Sequence, residues 1–132
     1  MKLDHIGIAV KDLDEAKKFY GDVLGFAISE PEELPDRQLK LIMVDVGGAN
    51  VELLVPTHPD SAIAKFLDKR GPGIHHICYR VDDVNKKLEK LKAAGMKLID
   101  QQARPGAHNT LVAFIHPSSA GGVLTEICQD AG

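Results

Sequence analysis

The sequence has 132 residues, of which 44% are hydrophobic and 27% are charged. This composition supports about one compact domain with a buried core and excludes a disordered chain. The formal net charge is -3, whereas nucleic-acid-binding proteins usually have an excess of basic residues, so we expect no nucleic-acid partner. No apolar run approaches the roughly 20 residues that span a bilayer, and the start lacks the pattern of a secretory or transit segment. We therefore expect a cytoplasmic protein without a membrane partner.

A repeated segment begins each half of the chain. Residues 5–10 read HIGIAV, and residues 76–81 read HICYRV, with His, Ile and Val in register. Each copy alternates as a strand does and is followed by an Asp and by an amphipathic stretch, over residues 13–24 and 84–94. The spacing predicts a strand followed by a helix in each half.

Three short strand-like runs follow each predicted helix, so the pattern predicts βαβββ twice. Between the halves, residues 60–70 have helical spacing and end at Gly71-Pro72-Gly73, which predicts a connecting helix. Two polar segments, 31–38 and 104–110, are interpreted as loops. The predicted strands after the helices are residues 26–29, 39–46, 51–55, 96–100, 111–115 and 123–128.

The predicted fold class is α+β, with two βαβββ modules paired into one domain. Module one covers about 1–57, the connecting helix about 59–71 and module two about 73–130, within a single domain over residues 1–132. Modules of about 60 residues cannot each bury an adequate core, so we expect them to pack together. We expect their sheets to form a half-open barrel that encloses a metal site.

One histidine per module is predicted to face the shared cavity. Because side chains alternate along a strand, Ile6 and Ile8 face the helix while His5 lies on the opposite face. The same alternation directs His76 to the cavity and its neighbour His75 away from it. His5 and His76 are therefore candidates for a common role.

A carboxylate interrupts the apolar last strand of each module, at Glu52 and Glu126. An isolated buried carboxylate is costly, so each must face solvent or have a strong partner. A single strand His or Glu is most often structural or solvent-exposed, but repetition at equivalent positions favours a shared function. His5, Glu52, His76 and Glu126 form a nitrogen and oxygen set suited to a divalent cation such as cobalt, zinc, nickel or manganese.

Two cysteines, Cys78 and Cys128, fall on the same strand faces as His76 and Glu126. They are too few for a disulfide framework and match no zinc-knuckle spacing, which fits a reducing compartment. We interpret them as small apolar packing residues and not as metal ligands.

These motifs resemble the vicinal oxygen chelate superfamily, which includes glyoxalase I, extradiol dioxygenases and antibiotic-resistance proteins. Within it, the chain most resembles the methylmalonyl-CoA epimerases. The resemblance covers nearly the whole chain and is carried by residues 5–10, 61–67, 73–77, 104–108 and 116–126. Its more specific parts are the Pro-Gly-Ala-His loop at 105–108 and the His-Pro to Gly-Gly-Val-Leu segment at 116–124.

The resemblance implies an epimerase that interconverts (R)- and (S)-methylmalonyl-CoA in propionate metabolism through a metal-stabilised enolate. It implies His5, Glu52, His76 and Glu126 as metal ligands, with cobalt as the favoured ion, and Glu126 as the catalytic base. It also implies a CoA thioester substrate and a homodimer.

Two positions depart from the pattern of the epimerases. Epimerisation by two bases needs a proton acceptor on each face of the reacting carbon, yet Leu41 stands where some family members carry a glutamate. Either another group on the opposite face, such as water or a residue of the segment 30–36, completes the transfer, or the two-base scheme does not apply as drawn. Glu52 stands where some epimerases have glutamine, which gives the ligand set of glyoxalase I. A lactoylglutathione lyase of the glyoxalase I type and a non-catalytic ligand-sequestering protein are therefore the alternatives.

Overall fold

The computed structural model describes the whole chain, Met1–Gly132. The chain divides into two compact units, here called the first unit, His5–His75, and the second unit, Met1–Asp4 with His76–Gly132. None of the helices has the length and apolar character needed to cross a bilayer. The strands are β1 (Lys2–Ala9), β2 (Ala27–Ile28), β3 (Glu32–Leu34), β4 (Leu39–Asp45), β5 (Asn50–Pro56), β6 (Gly73–Arg80), β7 (Arg104–Gly106), β8 (Thr110–Ile115) and β9 (Thr125–Asp130), and the α-helices are α1 (Leu13–Lys17), α2 (Ala62–Arg70) and α3 (Val84–Ala93).

The first unit is organised around β4 and β5. From His5 onward, β1 pairs in parallel with β5, which pairs antiparallel with β4, and the short strands β2 and β3 both pair with β4. Ile42, Val44 and Leu53 form a buried cluster with partly buried residues of α1 and β1. Because these side chains occupy one face of the strands, the alternate residues, His5 and Glu52 among them, lie on the other face.

The second unit repeats this arrangement. β6 pairs in parallel with β9, which pairs antiparallel with β8, and β7 pairs antiparallel with β8. α3 begins after Asp83, whose side chain accepts the backbone N–H of Lys86, and it buries Val84 and Leu88 against the sheet. The helix thus covers one face of the sheet, and His76 and Glu126 lie on the other.

The α+β prediction of two βαβββ modules is confirmed; α1 and α3 begin at their predicted residues, and the connecting helix α2 begins at Ala62, two residues after the predicted start. Asp12 accepts the backbone N–H of Glu15 at the start of α1, as its spacing predicts. The predicted helix over 13–24 is α-helical only to Lys17 and continues as a π-helix over Lys18–Val23, in which Leu24 donates to the Phe19 carbonyl. The domain boundaries stay a prediction.

Three predicted segments need correction. The strand over 96–100 is reduced to one bridge between Leu98 and Ile115, because the Asp100 carboxylate accepts the Phe114 N–H and ends the ladder. The segments 31–38 and 104–110, interpreted as loops, contain β3 and β7. Proline in both segments, with glycine in the second, is typical of loops, although an edge strand tolerates proline, as Pro105 in β7 shows.

Candidate active site

The first unit holds a buried His–Glu pair. His5 lies on β1 and Glu52 on the neighbouring strand β5, and 3.6 Å separates the His5 Nε2 atom from Glu52 Oε2. Both side chains are about as buried as the hydrophobic core, with 5% and 6% of their residue surface exposed. Removing two polar groups from water is costly, so a pair of this kind points to a function.

The second unit holds the equivalent pair. His76 lies on β6 and Glu126 on the neighbouring strand β9, with His76 Nε2 3.3 Å from Glu126 Oε1. Both residues are buried. Parallel pairing of the first and last strands of the module produces this geometry in each unit. The structure therefore confirms the predicted side-chain directions within each unit.

The spacing within each pair fits coordination of one metal ion. Imidazole nitrogen and carboxylate oxygen bind zinc-like ions at about 2.0–2.2 Å, so two such donors on one ion lie roughly 3.0–3.5 Å apart. The observed separations of 3.3 and 3.6 Å are close to that range. The residues present thus fit the divalent cation that the superfamily implies. A single ion shared by both pairs stays a prediction.

Phe114 supports the second pair and was missed by sequence reasoning. It lies directly opposite Glu126 in the β8–β9 register, and its ring meets the His76 imidazole edge to face with centroids 5.6 Å apart. The Arg104 guanidinium lies over the same ring, and its Nε is 3.2 Å from the Asp100 carboxylate. The signal that could have found Phe114 is the repeat offset, because Met43 takes the equivalent place opposite Glu52.

Two thiols lie beside the second pair. Cys78 is opposite Glu126 in the β6–β9 register, and both Cys78 and Cys128 are buried in a cluster with Val112. The Cys128 thiol, burial and the nearby Glu126 carboxylate all raise the pKa of Cys78. A protonated, buried thiol packs as a small apolar group, which agrees with the sequence interpretation.

Arg80 joins three strand ends in the second unit. Its guanidinium is 2.9 Å from the Asp4 carboxylate and 2.9 Å from the Asp130 carboxylate. These two acids raise the pKa of Arg80, and the hydrogen bond to Asp130 is the largest single cause. Because Asp4 directly precedes His5 in β1, this ion pair holds the strand start next to a candidate ligand.

Leu41, the predicted departure from the epimerase pattern, is a buried aliphatic residue. It lies in β4 with 1% of its surface exposed and pairs with Leu54 in β5. Leu54 lies two residues after Glu52 and on the same face of the strand. The position therefore places an aliphatic side chain where a second proton acceptor is expected.

Comparison with known proteins identifies the family. Residues 4–114 match the family model of the Glyoxalase/Bleomycin resistance protein/Dioxygenase superfamily. The chain belongs to this superfamily. It is 41% identical over 129 residues to the mitochondrial methylmalonyl-CoA epimerase of Bos taurus, an alignment that covers 97% of this chain and 74% of that protein.

Solved structures agree with the sequence comparison. The methylmalonyl-CoA epimerase of Mycobacterium tuberculosis superposes with a TM-score of 0.94 at 42% identity, covering 99% of this chain and 89% of that one. A variant of the Streptomyces coelicolor methylmalonyl-CoA epimerase, in complex with 2-nitronate-propionyl-CoA, superposes with a TM-score of 0.95 at 33% identity, covering 100% and 99%. The fold of the family therefore extends over the whole chain.

Proposed function

We propose that this chain is a metal-dependent epimerase that interconverts (R)- and (S)-methylmalonyl-CoA. The observation that carries the proposal is the likeness to methylmalonyl-CoA epimerases over nearly the whole chain. The two buried His–Glu pairs support it, because this reaction needs a charge-stabilising centre that is shielded from water.

His5, Glu52, His76 and Glu126 are proposed to hold one divalent ion, with cobalt as the favoured metal. The set offers two imidazole nitrogens and two carboxylate oxygens, which suits cobalt, zinc, nickel or manganese. When bound, the ion supplies Lewis-acid polarisation of substrate oxygens. Metal analysis of the purified protein tests this part, and a protein that retains no stoichiometric ion would contradict it.

Glu126 is proposed as a catalytic base. The proton at carbon 2 lies between a thioester and a carboxylate, so its removal gives an enolate whose charge spreads onto oxygen. Glu126 accepts this proton, and the return of a proton to the other face of the flattened carbon inverts the configuration. Its burial keeps bulk water from competing for the proton.

The decisive experiment incubates the protein with methylmalonyl-CoA in heavy water, with and without added Co²⁺. We expect deuterium to enter at carbon 2 together with inversion, and we expect both to depend on the metal. An absence of exchange in the metal-loaded protein would overturn the proposal.

The same experiment separates the two alternatives. Turnover of the hemithioacetal of methylglyoxal and glutathione, without exchange on the thioester, would indicate a lactoylglutathione lyase. Tight ligand binding without either reaction would indicate a sequestering protein.

We also propose a homodimer, by analogy with the epimerases, and a location in the cytoplasm, a reducing compartment that suits the two free cysteines. Sedimentation of the purified protein tests the first part, since a homodimer has twice the 14.3 kDa of the chain. Subcellular fractionation tests the second.

A further inference from the structure

If the proposed function proceeds by a two-base mechanism, it needs a second proton-transfer group. Interconversion of two epimers by two bases needs one group on each face of carbon 2, within hydrogen-bond reach. Glu126 is assigned to one face, and Leu41 offers no acid for the other. The inference below rests on the proposed epimerase function and names the missing group.

The register of β3 on β4 places a carboxylate beside Leu41. Glu32 is the direct antiparallel partner of Leu41, and Glu33 is the partner of Lys40. Directly opposite residues in an antiparallel pair project to the same face, with Cβ atoms about 4.5–5.5 Å apart. Glu32 therefore shares a face with Leu41, while Glu33 lies on the opposite face.

This face is the one that carries the first His–Glu pair. Leu41 pairs with Leu54, and Met43 pairs with Glu52, so Leu41 and Glu52 lie on the same side of the β4–β5 ladder. Glu32 is one strand further from Glu52 than Leu41 is. The half-buried Glu32 thus lies on the same face as the candidate metal ligand Glu52, with the aliphatic side chain of Leu41 between them.

Two prolines restrict the strand that carries Glu32. Pro31 precedes β3, and Pro35 begins the 3₁₀-helix that follows it. Each proline has a fixed φ angle, which reduces the number of conformations available to the three-residue strand. A short strand restricted in this way presents its side chain with a defined register, as a proton-transfer group needs.

We propose that Glu32 is the second acid–base group of the epimerase and replaces the glutamate that Leu41 lacks. In one direction Glu126 accepts the proton from carbon 2, the enolate forms, and the carboxylic acid of Glu32 donates a proton to the opposite face. The C–H bond that breaks is replaced by one C–H bond of opposite configuration. Glu32 ends as the carboxylate, Glu126 ends protonated, and exchange with water restores the starting state.

The test follows deuterium entry and inversion separately, starting from each pure epimer, in the metal-loaded Glu32→Gln variant. We expect inversion to fall by about 10²- to 10⁴-fold, the usual contribution of a positioned acid or base. The epimer whose proton faces Glu126 should still exchange deuterium with retention of configuration. A merely structural role would lower exchange and inversion by the same factor, and that result would overturn the inference.

A matched control lies one residue away. Glu33→Gln removes an equal charge from the same strand on the opposite face, and we expect wild-type exchange and inversion. Equal losses in the Glu32 and Glu33 variants would overturn the assignment. In the Glu32→Gln background, Leu41→Glu should restore part of the inversion, and a folded double variant without inversion would count against the inference.

Different results refute the epimerase function and the role of Glu32. A wild-type protein that exchanges neither epimer refutes the epimerase itself. A wild-type protein that inverts both epimers, with a Glu32→Gln variant that inverts them equally fast, supports the epimerase and overturns only the role of Glu32.

Discussion

The first and second units build the same pair of side chains in different surroundings. In the first unit, His5 and Glu52 lie on strands whose same-face neighbours are small or aliphatic, Gly7 and Leu54 among them. In the second unit, the His76 imidazole contacts the Phe114 ring, and the Cys78 and Cys128 thiols are buried beside the pair. The backbone repeat alone produces the pair, whereas the surroundings differ between the units.

We interpret this difference as a division of roles, with metal binding in the first unit and metal binding plus proton transfer in the second. The proposed role of the first pair is to bind the metal ion, which needs only donor atoms at a fixed spacing. Its aliphatic neighbours can hold the donor atoms there. The pair of the second unit includes the proposed base, and Phe114 restricts the orientation of the His76 imidazole next to it. We therefore expect equivalent substitutions in the two units to have unequal effects.

The largest expected effect comes from exchanging each glutamate for glutamine. Glu126→Gln should lower deuterium exchange by at least about 10³-fold, because an amide cannot accept the proton. Glu52→Gln keeps an oxygen donor, so we expect a loss of about 10- to 100-fold, mainly in metal affinity. Exchange assays at saturating Co²⁺ measure the loss in Glu126→Gln, and metal titration measures the weaker binding in Glu52→Gln. A fully active Glu126→Gln variant would show that the base is misassigned.

Metal removal tests whether the two pairs act as one site. A chelator should abolish exchange, and added Co²⁺ should restore it. At 100 times the dissociation constant, the ion should also raise the free energy of unfolding by about 2.7 kcal/mol.

His5→Ala and His76→Ala extend this test to each pair. Both variants should lose stoichiometric metal and most of the stabilisation, measured by metal analysis and thermal unfolding with and without Co²⁺. If only one of them lost the ion, the pairs would not share it.

A smaller effect is expected at the residues opposite the two glutamates. Phe114→Leu removes the ring that contacts His76 and should cost about 1–2 kcal/mol of stability, with metal affinity several-fold weaker. Met43→Leu, its counterpart opposite Glu52, conserves volume and should cost less than about 1.5 kcal/mol without changing metal affinity. Denaturant unfolding and metal titration measure both. Equal losses of metal affinity would remove the proposed distinction between the units.

The repeat explains why much of the site could be predicted from the sequence. Strand alternation placed His5 and His76 correctly because each strand has a helix-covered apolar face, which leaves only one face for the histidines. The two glutamates followed from the cost of a carboxylate in an apolar strand. These arguments need only local pattern and burial energy, both of which are present in a single sequence.

The remaining features depend on register between strands, which the sequence does not contain. β3 and β7 are edge strands whose prolines and polar residues are typical of loops, so their pairing with β4 and β8 was missed. The place of Glu32 opposite Leu41 follows from that register alone. Likewise, the predicted strand over 96–100 is shortened because the Asp100 carboxylate accepts the Phe114 N–H, where a regular ladder would use a backbone carbonyl, while the Asp100 and Ile99 N–H groups both donate to the Phe114 carbonyl.

The smallest expected effect on the site concerns the thiols that only the second unit has. Cys78 and Cys128 pack with Val112 in a buried cluster, so we interpret them as packing residues next to the candidate metal ligands. Cys78→Ala and Cys128→Ala should each cost about 1–2 kcal/mol of stability, through lost packing, and change Co²⁺ affinity by less than about twofold. The Co²⁺-loaded wild type should also lack the near-ultraviolet absorption of a cobalt–thiolate bond. Such a band, lost on substitution of either cysteine, would mean that the second unit binds the ion through sulfur, and the two pairs would then no longer be equivalent.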